Sequence, residues 1–219
     1  LWALSEGSSD EVYLSADNFT VRHFRSGTIN NNQTAIAPNM ISLTKDEIGF
    51  HLKNFNDPNY VMSSTIRDWP ADGDVDLGEA VDQAPFVDVN NNGCYDPENG
   101  DYPFILGDRA IYMIITDDTP EIPGDFSSRF KMEAQIMIYV FDLPNLEYID
   151  QSVFVRYNLV NRSSRTYKDI QIGIRSDFDI GVPTDDAVGC EPNSNVVFAY
   201  NNDFNDEDVG MFRGYGQYI

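Results

Sequence analysis

Alternating side chains along four successive segments limit the second half of this chain to sheet. The longest is 130–141, where Phe130, Met132, Ala134, Ile136, Ile138 and Val140 fall on one side. Lys131, Glu133 and Gln135 begin the other side, which turns apolar at Met137, Tyr139 and Phe141. Val153, Val155, Tyr157 and Leu159 mark the next strand, and Asn161, Arg162, Ser163 and Ser164 a turn. Ile170, Ile172 and Ile174 mark the third, and residues 196–200 the fourth. Ahead of them, 110–116 is a continuous apolar run, as of a strand buried on both faces, and 120–124 breaks it. Strands joined by short polar links, with no helix between them, pair antiparallel and bury one side against a second layer. The expected fold class is mainly β: an antiparallel β-sandwich with a short helix and long acidic calcium-binding loops.

The first half carries fewer signals. Residues 11–15 and 19–24 read as short strands. Thr44 and Glu47 form a capping box, and Ile48, Leu52 and Phe55 follow at helical spacing, which predicts a helix over 45–54. His51 on that helix is expected to face solvent or to be half-packed. Trp69 and Pro70 open an irregular connector to Gln83 that holds Asp72, Asp74, Asp76, Glu79 and Asp82. Its glycines give no loop-motif spacing, so these carboxylates are expected to be solvated. The organisation expected is one β-rich domain over 1–219, or a fragment of something larger. Residues 1–109 hold the helix and a calcium loop, and 110–219 the sandwich strands.

That loop spans 88–101. Calcium takes six to eight oxygens, and a flexible loop supplies them from alternating side chains. Asp88, Asn90, Asn92 and Asp96 occupy positions 1, 3, 5 and 9 of an EF-hand-type loop, with Gly93 at position 6, where the chain turns sharply. Cys94 at position 7 offers its backbone carbonyl rather than its thiol. Position 12 is Asn99 in place of the usual glutamate, so Glu98 or Asp101 has to close the shell. No flanking helices are indicated. The metal set read from sequence is therefore Asp88, Asn90, Asn92, Cys94, Asp96 and Asp101, with calcium in a structural role. A weaker second set is Asp177, Asp179, Asp185 and Asp186, since carboxylates two apart on a strand end point the same way. The alternative reading of that set is a glycoside-hydrolysing or carbohydrate-binding module using the clustered aspartates.

Charge narrows the partners. The chain has 36 acidic and 14 basic residues among 219, a net charge of −22. That disfavours nucleic acid and an anionic membrane surface. No stretch approaches the ~20 apolar residues of a membrane span. Histidine occurs only at 23 and 51, so a His-Glu-x-x-His zinc site is excluded. There is no Gly-x-Ser-x-Gly elbow and no phosphate-binding glycine loop, and no catalytic residue is assigned. Cys94 and Cys190 either pair in an oxidising compartment or stand as two independent buried thiols.

The ordered motifs resemble a region of large secreted Bacteroidota proteins, many of them type IX secretion cargo. The resemblance rests on Trp69-Pro70, on Ala84-Pro85-Phe86 with Asp88, on Asp101-Tyr102-Pro103, and on Gly107-Asp108-Arg109. It continues through Arg156-Tyr157, Asn161-Arg162-Ser163, Ser176-Asp177, Asp185-Asp186 and Gly189-Cys190. It is weakest before Lys45. Cys94 stands where an aliphatic residue is expected, and Ile111-Tyr112-Met113 replaces a tryptophan-containing strand. The resemblance implies a secreted or cell-surface location and calcium, and no reaction. The expected function is a non-catalytic structural or adhesive region. Its expected partners are other domains of the same polypeptide, neighbouring surface proteins, or further copies in a homo-oligomer or filament. The abrupt start at Leu1 and stop at Ile219 read as those of a piece of a longer chain.

Overall fold

A computed structural model describes residues 2–6, 12–16, 24–29, 40–118, 129–174, 180, 182, 184 and 186–202; for 2–6 and 12–16 it describes the backbone alone. The described chain is mainly β, with antiparallel pairing throughout. It forms two compact units, Leu1–Gly173 and Ile174–Ile219.

The strands of the first unit are β1 (Trp2–Glu6), β2 (Val12–Ala16), β3 (Arg25–Ser26), β4 (Ile41–Thr44), β5 (Phe86–Val87), β6 (Tyr102–Pro103), β7 (Arg109–Thr116), β8 (Met132–Val140), β9 (Phe154–Asn161) and β10 (Lys168–Gly173). Its helices are α1 (Lys45–Asn54), α2 (Ser64–Arg67) and α3 (Glu147–Asp150). The main sheet runs β3-β7-β8-β9, and β4 shares the β3 edge of β7. A second sheet, β10-β1-β2, contains a strand at Trp2–Glu6 that the sequence reading did not find. The expected strand at 19–24 lies outside the described residues except for Phe24, which is in no regular element.

The sequence places α1 correctly because its start is set locally. Thr44 ends β4 and caps the helix: its side chain accepts from the Glu47 N–H at 3.2 Å, and Glu47 Oε2 accepts from the Thr44 N–H at 2.9 Å. The buried face differs from expectation. Ile48 and His51 are buried, while Leu52 is exposed. His51 is fully covered because its ring meets the Asp101 carbonyl, fifty positions away in sequence.

Register decides which strand faces carry the core. Tyr112 lies opposite Met137, Ile114 opposite Gln135 and Thr116 opposite Glu133. Gln135 in turn faces Asn158, and Met137 faces Arg156. Opposed residues share a face in an antiparallel pair. Burial in β7 alternates, with Ala110, Tyr112, Ile114 and Thr116 inside and Ile111 exposed, so it is not buried on both faces. β8 is buried on both faces through its middle: Glu133, Gln135 and Met137 on one, which is largely polar, and Ala134 and Ile136 on the other. What covers the polar face is the acidic connector. Trp69, Ala71 and Ala84 pack on Ala110, Tyr112, Ile114 and Met137. The Trp69 ring lies 4.9 Å from that of Tyr112, and its Nε1 donates to the Pro85 carbonyl at 3.0 Å.

The polar residues under the connector are bonded to it. Gln135 Nε2 donates to the Asp82 carbonyl at 2.6 Å, and the Tyr112 hydroxyl donates to the Gln83 carbonyl. Arg162 joins Glu133 at 2.7 Å and donates to the Gly78 carbonyl at 2.5 Å. Glu133 is 0% exposed, and its Oε1 also accepts from the Thr28 hydroxyl and the Ile29 N–H, both at 2.5 Å. Buried polar groups are tolerated when they replace water for backbone groups that the connector would otherwise strand. A smaller cluster of Leu43, Ile48 and Ile66 packs with Tyr102 and Ile105 beside it.

The second unit contains a hairpin of β11 (Asp186–Glu191) and β12 (Val196–Asn201), paired from Asp186↔Asn201 to Glu191↔Val196. β12 matches the strand expected at 196–200, whereas β11 has no counterpart in the sequence pattern, where Asp185 and Asp186 read as an acidic cluster. Both cysteines are free and exposed, so neither is the buried thiol that the sequence allowed.

Candidate functional site

β5 and β6 form a two-residue ladder, Phe86↔Pro103 and Val87↔Tyr102, that holds the two ends of 88–101 side by side. Between them the chain curls over its own side chains. Asn91 and Gly93 have φ of 59° and 82°. Those left-handed angles, rather than lack of space, call for Gly at 93, since an added Cβ there meets nothing within 4 Å.

The side chains at the alternating positions turn inward. Asp88 accepts from the N–H of Asn92 at 3.2 Å and of Gly93 at 2.8 Å. Asn90 Oδ1 accepts from Asn92 N–H at 3.0 Å, and Asn92 Oδ1 from Cys94 N–H at 2.8 Å. These are Asx turns repeated at every second residue. Their other ends meet at Asp96, whose carboxylate receives Asn90 Nδ2 at 3.0 Å, Asn92 Nδ2 at 3.1 Å and Asn99 Nδ2 at 2.7 Å. The amide of Asn99, first among these, holds the Asp96 carboxyl below the usual carboxylate range.

Asp101 does a different job. It is 0% exposed, and its two oxygens accept from Val89 N–H at 2.8 Å and Asp96 N–H at 3.0 Å. It thereby ties the start of the loop to its middle. Burial pushes its carboxyl up, while the two N–H groups pull the other way. Its carbonyl meets His51 Nε2 at 3.1 Å. A carbonyl only accepts, so Nε2 carries the hydrogen and Nδ1 is left to accept from the Tyr60 hydroxyl at 3.3 Å. Burial lowers the His51 pKa, in keeping with this neutral ring.

Of the residues read from sequence, Asp88, Asn90, Asn92 and Asp96 come together on the inner side of one turn. Cys94 sits on the rim with its thiol exposed. Asp101 lies beneath, bonded to the backbone. Two further residues join the network: Asn99 of the loop itself, through Asp96, and Asp72 from outside it, which accepts from Tyr95 N–H at 2.6 Å. Asn99 was visible as position 12; Asp72 comes from the connector, and no local spacing marks it. The Tyr95 hydroxyl donates to the Ile66 carbonyl at 2.6 Å, and burial pushes its pKa up.

The donors of this loop are hard oxygens, two carboxylates with amides and a backbone carbonyl, which suits calcium and not a soft metal. Among the described residues no group of three or more His, Cys, Asp or Glu gathers as a metal cage, so any cation here relies on the amides of Asn90 and Asn92. The Asp96 carboxylate only accepts and the Asn92 and Cys94 N–H groups only donate, so Nδ2 of Asn90 and Asn92 is fixed toward Asp96 and Oδ1 toward the backbone; each amide has to turn over to present its oxygen to a cation beside Asp96.

Asp177, Asp179 and Asp185 lie outside the described residues. Asp186 opens β11, where its Oδ2 accepts from Ile180 N–H at 2.8 Å. No helix among the described residues is long and apolar enough to cross a membrane. No family model matches the chain, and neither a curated protein nor a solved structure matches it.

Proposed function

We propose that this chain is a calcium-stabilised, non-catalytic structural or adhesive region of a secreted or cell-surface protein, with its sheets stacked as a β-sandwich. The observation that carries the reading is the inward gathering of Asp88, Asn90, Asn92 and Asp96 on a turn with left-handed residues at 91 and 93. A calcium ion there offsets the repulsion of crowded carboxylates in a chain of net charge −22. Its role is to fix one loop shape between β5 and β6, as a structural ion does.

Exposed apolar side chains support the adhesive part of the proposal. Val155 and Tyr157 on β9, with Ile111 on β7, stand on the outer face of the main sheet, and Ile170 and Ile172 stand exposed on β10. Such surfaces suit packing against neighbouring modules, surface proteins or further copies of the chain. The secreted location follows from the acidity and from the resemblance to Bacteroidota type IX secretion cargo.

Calorimetric titration of calcium into chelator-treated protein tests the reading. Saturable binding, with a rise in melting temperature, is expected. No heat together with an unchanged melting temperature would reject it.

A further inference from the structure

The connector covers only part of the inner face of the main sheet. It reaches Phe86 and leaves the side chains of edge strand β9 uncovered, which creates a cleft of about 430 Å³, within the size range of small-molecule sites. Register explains what points into it. Arg156 and Asn158 lie opposite Met137 and Gln135, so both project on the face that carries the core. Phe86 and Phe104 form apolar walls together with Met137.

The polar groups of the cleft divide into two kinds. Gln135 is used at both ends, giving its Nε2 to the Asp82 carbonyl and receiving Asn158 Nδ2 at 2.6 Å. It holds the architecture. Arg156, by contrast, forms no hydrogen bond or ion pair among the described residues, though Asp82 lines the same cleft. Lys45 is paired with Asp108, Arg67 with Asp68, Lys131 with Asp118 and Arg162 with Glu133, while Lys53 and Arg109, open like Arg156 among the described residues, do not line the cleft. A guanidinium left open beside aromatic walls, in a chain with more than twice as many acids as bases, is a local anion site. Its planar fork matches a carboxylate with two parallel hydrogen bonds. The apolar walls call for an apolar or aromatic body behind that carboxylate. Asp82 and the strongly negative chain disfavour a second negative charge.

We propose that this cleft binds a monocarboxylate with an aromatic or apolar body, the carboxylate on Arg156 and the body against Phe86, Phe104 and Met137. The source of that chemistry is either a free organic acid or the C-terminus of a peptide ending in an apolar residue.

Ligand-observed NMR and calorimetry on the whole chain test it, with 3-phenylpropionate as probe and 3-phenylpropionamide as its uncharged twin. The acid is expected to bind at least tenfold more tightly than the amide, about 1.4 kcal/mol. Arg156→Gln is expected to erase that preference. Arg109→Gln, on the opposite face of the sheet, is expected to leave it intact. Arg156→Lys keeps the charge without the fork and is expected to fall between, which separates loss of the site from loss of the fold. Tighter binding of Ala-Ala-Phe with a free terminus than of the small acid assigns the cleft to peptide ends; weaker binding assigns it to free acids. Equal binding of acid and amide, unchanged binding by Arg156→Gln, or no binding of any probe at millimolar concentration would overturn the proposal.

Discussion

Two acidic stretches, the connector 70–83 and the loop 88–101, look alike in composition and are held by opposite means. The connector is held from beneath. Ala71, Gln83 and Ala84 are buried, and Gln135, Tyr112 and Arg162 reach up from the sheet to its carbonyls. The side chains of Asp74, Asp76 and Asp82 are exposed and that of Glu79 is half-buried; Asp74 accepts from the N–H groups of Asp76 and Leu77, and Glu79 from that of Asp74. The loop is held from within. Asp88, Asp96 and Asp101 turn toward their own backbone, and Asn90, Asn92 and Asn99 complete the network. Neither a count of carboxylates nor a turn toward the backbone separates the two, since Asp74 and Glu79 also accept from nearby N–H groups; convergence does, because only in the loop do several side chains meet, at Asp96. A cation has little to offer the connector and much to offer the loop.

Substitutions break this contrast from either side. The largest effect is expected beneath the connector. Arg162→Met removes the cation beside the buried Glu133 and leaves it the Thr28 hydroxyl and the Ile29 N–H alone, which costs about 3 kcal/mol. Urea unfolding measures it, and calcium affinity should stay as in the native chain. A fall in affinity would show that the two stretches are not independently held. Next is Asp101→Asn, which turns an amide NH₂ toward one of two backbone donors at a fully buried position. The expected cost is about 2 kcal/mol, again by urea unfolding, and here the calcium response should be lost as well. The smallest is Thr44→Ala, which removes the cap of α1 for about 1 kcal/mol in a thermal melt and leaves calcium binding unchanged.

Features set within a few residues were legible before the structure. The capping box gave α1 its bounds, and the spacing of Asp88, Asn90, Asn92 and Asp96 gave the turn, because both depend on contacts one to six positions apart. Strand positions were legible for β8, β9, β10 and β12 to within a few residues. Burial was legible only in part. On β8 the side rich in Ile reads as the inner one, and Ala134 and Ile136 are buried there, yet Glu133 and Gln135 on the other side are buried as well, under the connector. A strand does not encode what covers it; that depends on residues fifty positions away. His51 fails for the same reason, since the Asp101 carbonyl that buries it belongs to another segment. β11 was hidden by its own acidic start, although Pro192 to Asn195 carries a clear turn signal.

Amide hydrogen exchange, read residue by residue with and without calcium, tests the central claim most directly. The N–H groups of Val89, Asn92, Gly93 and Asp96 donate to the loop's own carboxylate and amide oxygens. Calcium should slow their exchange at least tenfold and leave Gly73, Gly78 and Gln83 in the connector unchanged. Equal slowing of both stretches, or of neither, would contradict the account.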